Sequence, residues 1–504
     1  LVLMMCKRYG ILFFQFKIET SEAKINLEVL LKIFTSKLWS VCTLILIWQN
    51  PMAALSQDQV KQYDEGSVYE GSFKNGLRNG LGKYTMPDGF SYEGEWKDDQ
   101  IQGKGIARYP TGQIFEGSFK QGVPDGEGSM TFSDGTKYKG SWLDGKMEGD
   151  GVLSMTDGSI FEGKFSNNNR DGYGTMSYPD GSIFEGNWKN NEKQGNGTLI
   201  YADKSTYEGN WERGLQQGFG RLTTKDGVVL EGEWKNGKIN GIGKLIQSNG
   251  DRYEGSLIDW KRNGKGVSIY TTGEKYDGNF KDDLRHGQGI LTGQDGFRYE
   301  GNWSLGKMNG KGKITYSSGS VYEGTFKNNQ PNGQGKIIFS DGGSYEGSWN
   351  NGVIEGSGVA KYANGLIYKG EFSRGKNNGF GTMTYSDGYI YKGNWKNGIQ
   401  EGEGEEIFPN GSVYTGMFKN NQRHGNGYMK MENGFSYNGD WVSGEMSGKG
   451  IAIYANGDKY KGYFLNGKRE GKGVMTFKDG KTIDAIWKDG KELQTDTDNS
   501  INSD

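Results

Sequence analysis

The chain has 504 residues, of which 87 are glycine; only 33% are hydrophobic, yet 13% are aromatic. Seven prolines and the lack of a triplet period exclude collagen, and the aromatic content argues against a disordered glycine-rich chain. Lys plus Arg (60) nearly cancels Asp plus Glu (62), so there is no broad basic surplus to hold a nucleic acid.

Residues 1–56 read as a helical leader, either a signal peptide or an extension upstream of the true start. Lys32 and Lys37 precede the apolar run "LWSVCTLILIW" at 38–48. Its eleven residues are too few to span a bilayer and suit a signal-peptide core. Ala54-Leu55-Ser56 offers a small-x-small cleavage pattern, leaving Gln57 first in the mature chain. The expectation is export to a periplasmic, extracellular or cell-surface location. A start at Met52 would instead leave a cytoplasmic protein, free to associate with a membrane. The two cysteines, Cys6 and Cys42, both lie in the leader, so the remainder can build neither a disulfide framework nor a zinc site. "WSVC" lacks the small residue wanted before a lipidated cysteine.

Residues 57–68 read as a short linker or N-terminal cap. From residue 69 a Tyr-Glu-Gly-x-aromatic phrase returns every 23 residues, eighteen times without insertion or deletion, the last at 460. A nineteenth copy, "IDAIW" at 483–487, stays in register without its glycine and reads as a degenerate cap over 483–490. Counting the first residue of each unit as offset 0, glycine fills offsets 2, 11 and 13 in all eighteen units. Offset 20 is glycine in all but one, the exception being Lys204.

Within a unit the period is two. Tyr92, Gly94 and Trp96 fall on one face and Glu93 and Glu95 on the other, as in a half-buried strand. Gly103, Gly105, Ala107 and Tyr109 form a second single face. Asn, Asp or Gly stands between the two strands where left-handed residues are needed, and turns such as Pro87-Asp88-Gly89 join the units. Each unit is therefore a β-hairpin. The rings at offsets 0 and 4 (Tyr69, Phe73, Tyr92, Trp96, Tyr138, Trp142, Trp188, Trp303, Trp349, Trp395 and Trp441 among them) are expected to cover bare backbone. That backbone is the glycines at offsets 2, 11 and 13, such as Gly71, Gly80, Gly82, Gly94, Gly103 and Gly105. Stacked hairpins would bury one another's rings. The fold class is all-β: residues 69–490 form one twisted single-sheet rod of 36 strands, on the order of 170 Å long at about 4.8 Å per strand. Residues 491–504 read as a disordered polar tail.

"YEGEWKDDQIQGKGIARYPTG" (92–112) and "YKGNWKNGIQEGEGEEIFPNG" (391–411) resemble the MORN (membrane occupation and recognition nexus) repeat. The resemblance covers most of the chain. It implies single-sheet hairpin arrays that serve protein interaction, dimerisation or membrane apposition, in some members joined to a lipid kinase or methyltransferase domain. Neither domain is visible in this sequence.

Candidate chemistry is sparse. His286 and His424 both stand at offset 10, where other units carry Asn79, Gln102, Asp125 or Glu148, so a polar turn-side position explains them. The Gly-x-Gly pairs lack the third glycine at dinucleotide-binding spacing and the following helix. Asp-Gly turns need no calcium, because Thr111, Ser318 and Asn364 take the same slot. No catalytic set can be assembled, and no cofactor, metal, nucleic acid or small-molecule substrate is expected.

Three departures from uniformity stand out. Offset 4 alternates Phe and Trp (Phe73, Trp96, Phe119, Trp142, Phe165, Trp188), a superperiod of 46 residues. The pattern degenerates over 204–260, where Leu230 and Leu257 replace rings and Trp260 enters a turn, suggesting a bend or hinge. Offset 1 is acidic in twelve of the first thirteen units, Lys139 excepted, then becomes Lys369, Lys392, Thr415, Asn438 and Lys461. Lysines at offset 5 (Lys74, Lys97, Lys120) would balance the acids in screened cross-strand ladders. Alternatively Lys369, Lys392 and Lys461 mark a surface for a partner or an anionic membrane. The sequence reads as a non-enzymatic scaffold that binds a protein partner or a second copy. The alternatives are binding of phosphoinositide-like headgroups, or regulation of a catalytic chain such as a lipid kinase.

Overall fold

The computed structural model describes residues 59–493; the leader with its apolar run and cleavage pattern, and residues 494–504, lie outside the described residues. Thirty-nine strands form one antiparallel sheet in which each strand pairs with the one before it and the one after it. The eighteen hairpins supply thirty-six. A half-hairpin, Gln59–Gln62, precedes them, and the degenerate nineteenth unit adds Thr482–Lys488 and Lys491–Glu492. Lys491 and Glu492, which the sequence reading assigned to the polar tail, thus pair with Lys488 and Trp487.

Turn chemistry sets the register. Val68–Lys74 and Leu77–Thr85 are joined by Asn75 and Gly76, at φ of 54° and 80°, the two left-handed residues of a type I′ hairpin. Between units the Met86 N–H donates to Phe90 O (2.8 Å) and the Gly89 N–H to Met86 O (3.1 Å). This three-residue loop ends on a left-handed Gly89 (φ 96°). The Asp88 carboxylate accepts from the Phe90 N–H at 2.9 Å, which explains the Asp, Asn or Ser that precedes nearly every turn glycine. Lys204 adopts the same left-handed conformation, φ 75°, without being glycine.

Each hairpin also carries a bulge that strict alternation hides. Gly71 pairs with Gly82 and Phe73 with Arg78, so Ser72 alone opposes the three residues 79–81. Gly80, within this bulge, has φ 94°, and a Cβ on it would meet the Ser72 side chain; on Gly103 it would meet Glu95. The glycine at offset 11 therefore serves backbone conformation and faces away from the rings, contrary to the expectation that a ring covers it. Offsets 2 and 13 behave differently: within the eighteen units they pair with one another across successive strands, Gly71 with Gly82, Gly82 with Gly94, Gly94 with Gly105. A Cβ on Gly94 would stand 2.5 Å from the Gly105 Cα, so the row permits backbones to approach where side chains would hold them apart.

The rings lie on one face and pack edge-to-face in a continuous ladder. Tyr69 meets Phe73 at 5.0 Å and Trp96 at 5.3 Å, Tyr92 meets Trp96 at 5.4 Å and Phe119 at 5.1 Å, and so on. Strand pairing runs through 204–260 without interruption, but the ladder does not. It stops at Trp234 and resumes at Tyr253–Phe280. Fully buried Ile239 and Leu257 fill the gap, and the turn residue Trp260 packs on Trp234 at 5.0 Å.

Candidate interaction faces

The two faces of the sheet differ in what is left to do chemistry. On the ring face the constant residues satisfy one another. The Tyr92 hydroxyl donates to Glu95 O (3.0 Å), a carbonyl that the bulge leaves unpaired in the following strand. The Trp96 Nε1–H donates to Gly82 O of the preceding unit (3.1 Å), and the same bond recurs from Trp142, Trp188, Trp303, Trp349, Trp395 and Trp441. Burial pushes the ring phenols up, those of Tyr253, Tyr299, Tyr322 and Tyr345 to about 12. These groups stay protonated at neutral pH and offer no base.

The alternation of Phe and Trp has a physical partner at offset 9, which the sequence reading did not single out. Ahead of a Phe this slot mostly carries Ile101, Met147, Met308, Ile354 or Met446, packed against the core. Ahead of a Trp it carries a polar, cationic or proline side chain, as with Arg78, whose guanidinium lies 4.2 Å over Trp96. The smaller ring is thus complemented by an aliphatic chain. One slot in the aliphatic row at offset 15 is charged: Glu406, buried, accepts from Arg423 Nε at 2.6 Å and from the Tyr389 hydroxyl at 2.7 Å.

Offset 10 is a cap. In ten units its side chain accepts from the offset-6 N–H of the next turn, as Glu148 does from Asn167 (2.9 Å) and Glu355 from Arg374 (2.8 Å). His286 and His424 occupy this slot six units apart, so the fold does not bring them together. Among the described residues no group of three or more His, Cys, Asp or Glu could hold a metal ion.

The opposite face displays offsets 1, 3, 12 and 14. Offset 1 is opposed by offset 14, as in Glu70–Lys83–Glu93–Ile106. The offset-5 lysines are not opposite the glutamates; Lys74 pairs with Leu77. The ladder is therefore charge-balanced only where offset 14 is basic, as at Lys336–Glu346 (3.3 Å). Lys369 and Lys392 are exposed and flank Thr382 on adjacent strands. Lys461 lies three units from Lys392 and four from Lys369 and groups instead with Lys449, Lys472 and Tyr463 in a shallow groove. Five of the eighteen offset-12 positions carry the most exposed large apolar side chains of this face: Leu81, Tyr173, Phe219, Ile242 and Phe380 are all more than half exposed, at 68%, 55%, 57%, 64% and 55%. Sequence periodicity placed this row on the outer face but gave no reason to single it out.

An open sheet of hairpin repeats, with constant residues used internally and variable ones outside, defines a tandem-repeat protein. The MORN repeat pattern matches eighteen segments, from 69–90 to 460–482, and the chain belongs to that family. No curated protein sequence matches the chain. Among solved structures it is similar to the TCP domain of SAS-4 from Drosophila melanogaster in complex with a proline-rich motif of Ana2. That match has 11% identity, covers 42% of this chain and 99% of the other, and has a TM-score of 0.20. The TCP10 domain of CPAP from Danio rerio matches at 12% identity over 53% and 99%, TM-score 0.12. A streptogramin B lyase matches at 17% over 58% and 90%, TM-score 0.11. Superposition this poor carries no argument about function.

Proposed function

We propose that the chain is a non-enzymatic scaffold whose outer face binds protein partners or a second copy. The observation that supports this reading is that five of the eighteen offset-12 positions on the outer face carry large apolar side chains more than half exposed, Phe219 and Ile242 in consecutive units. Contiguous exposed apolar surface, as at the neighbouring Phe219 and Ile242, marks interaction sites. The ring face, by contrast, spends its constant aromatics on itself. Affinity capture from the protein's own cells, followed by crosslink mapping, tests the reading. Crosslinks should concentrate on outer-face lysines such as Lys104, Lys265 and Lys311. Retention of no protein and a monomeric sedimentation profile would contradict it. The leader pattern supports export with cleavage after Ser56, which N-terminal sequencing of the mature protein would test by finding Gln57 first.

A second reading is favoured by Lys449, Lys461 and Lys472 around Tyr463, a cationic and aromatic group suited to anionic headgroups. Liposome co-sedimentation should then fade as salt rises. Binding equal on neutral and anionic vesicles would remove this reading.

A further inference from the structure

Offset 9 sits between the ring ladder and the half-buried residue at offset 17, and several units place a cation there. Arg78, Arg262 and Arg423 each meet a carboxylate: Asp99 at 3.2 Å, Asp283 at 3.2 Å and Glu406 at 2.6 Å. Arg170 and Lys193, in consecutive units, meet none. Arg170 donates through Nη2 to Asn191 O (3.0 Å) and lies 4.7 Å over Trp188, but its buried Nε has no acceptor. The Lys193 ammonium lies 4.8 Å from both Phe184 and Trp211 and 5.3 Å from Tyr178, with no hydrogen-bond acceptor. Burial lowers the pKa of both, that of Lys193 to about 8, and the Arg170 charge adds to the effect on Lys193. Tyr178 and Arg170 are the charged or titratable groups that act on the pair, and no carboxylate is among them. In the next unit Gln216 donates to the Tyr201 hydroxyl at 3.0 Å.

We infer that the strip running from Arg170 to Lys193 on the ring face docks an extended acidic segment of a protein partner, one carboxylate seated on each cation. The inference rests on the reading of the array as a protein-binding scaffold and adds to its outer face a second contact, on the ring face, with a partner chemistry of its own. Two adjacent positive charges without counter-ions, one with an unused N–H, are complementary to negative charge. Geometry adds a spacing rule. Successive units are two strands, or about 9.6 Å, apart, and one three-residue turn of a segment in the extended polyproline II conformation spans about 9.3 Å and returns its side chains to the same face. Carboxylates three residues apart would therefore reach both cations, with Tyr178 and Tyr201 offering ring surface between and beyond them.

Fluorescence anisotropy of the full chain tests this with a synthetic probe carrying aspartate at every third residue among serines. A control peptide of the same composition has its aspartates adjacent. The spaced peptide should bind about tenfold more tightly than the control, and Arg170→Gln/Lys193→Gln should lose about tenfold. Glutamine already occupies this slot at Gln216 and Gln400, so the fold accepts it. Saturating peptide should also slow acetylation of Lys193 by limiting acetic anhydride, read by mass spectrometry. Equal binding by the double variant, or no binding of the spaced peptide, overturns the inference. If Lys369→Gln/Lys392→Gln/Lys461→Gln abolishes binding instead, the strip is refuted while the scaffold reading stands. Capture of no protein together with a monomeric sedimentation profile would refute the scaffold reading itself.

Discussion

Gly105 lies beneath the ring of Tyr92: a Cβ on the glycine would stand 2.4 Å from the hydroxyl oxygen and 2.5 Å from two ring carbons. The contact repeats along the array, as between Gly151 and Tyr138 or Gly450 and Tyr437. Gly105→Ala should therefore displace the ring and destabilise its neighbourhood by about 1–3 kcal/mol. Because units contact only their neighbours, the loss should appear locally, as faster hydrogen exchange over residues 92–108. Unchanged exchange there would contradict the packing described.

Lys204 should respond in the opposite direction. It holds φ 75° in a turn where every other unit has glycine. Lys204→Gly should stabilise the 201–205 turn by about 1 kcal/mol by relieving left-handed strain. Slower exchange of the Lys204 N–H, which donates to Tyr201 O at 2.9 Å, would register it.

The complementarity between offset 9 and the next ring predicts a non-additive pair. Trp395→Phe removes the bond from Nε1 to Gly381 O (3.3 Å) and leaves unfilled volume, at a cost of about 1–3 kcal/mol. Adding Asn377→Ile should recover part of that loss, since Ile is the natural companion of a Phe ring in units such as Ile101–Phe119. A double-mutant cycle with no coupling would show that the alternation is ancestry without packing consequence.

Alkali should unfold the array cooperatively. The phenols of Tyr253, Tyr299, Tyr322 and Tyr345 are raised from 10.0 to about 12 by burial. Each holds its proton more tightly folded than unfolded, so its stabilisation is complete below about pH 10 and fades as pH rises towards 12. Tyrosinate absorbance and loss of far-ultraviolet circular dichroism should rise together in that window. Titration of the rings near pH 10 with the sheet intact would contradict their burial.

The break in the ring ladder between Trp234 and Tyr253 should be the weakest internal section of the array. Edge-to-face pairs contribute about 0.5–1.5 kcal/mol each beyond burial, and the Leu230 and Leu257 positions make none. Hydrogen exchange should be fastest there among internal units, and small-angle scattering should show any bend at that section. Uniform protection through 230–257 would show that Ile239 and Leu257 compensate fully.

The repeat, the hairpins and both turn types were legible because a 23-residue count aligns every glycine and aromatic. The bulge was not, because alternation alone puts Gly80 and Gly103 on the ring face; only the pairing of Gly71–Gly82 beside Phe73–Arg78 shows the extra residues. Register likewise hid the true partner of the offset-1 glutamates, which is offset 14 and not the lysine at offset 5. The role of offset 10 was invisible because its acceptor reaches into the next unit, nineteen residues on. The Phe–Trp alternation was read correctly as a superperiod, but its companion at offset 9 alternates more loosely, with Arg262 and Gln400 as exceptions.

The central claim is that the constant residues build the sheet while the variable outer face binds. Partner retention and thermal melting measured together on Tyr173→Ser/Phe219→Ser/Phe380→Ser test it most directly. The account predicts melting unchanged from the parent and loss of the captured partner or of self-association. Full retention of binding, or a sheet that melts as early as that of Gly105→Ala, would contradict it.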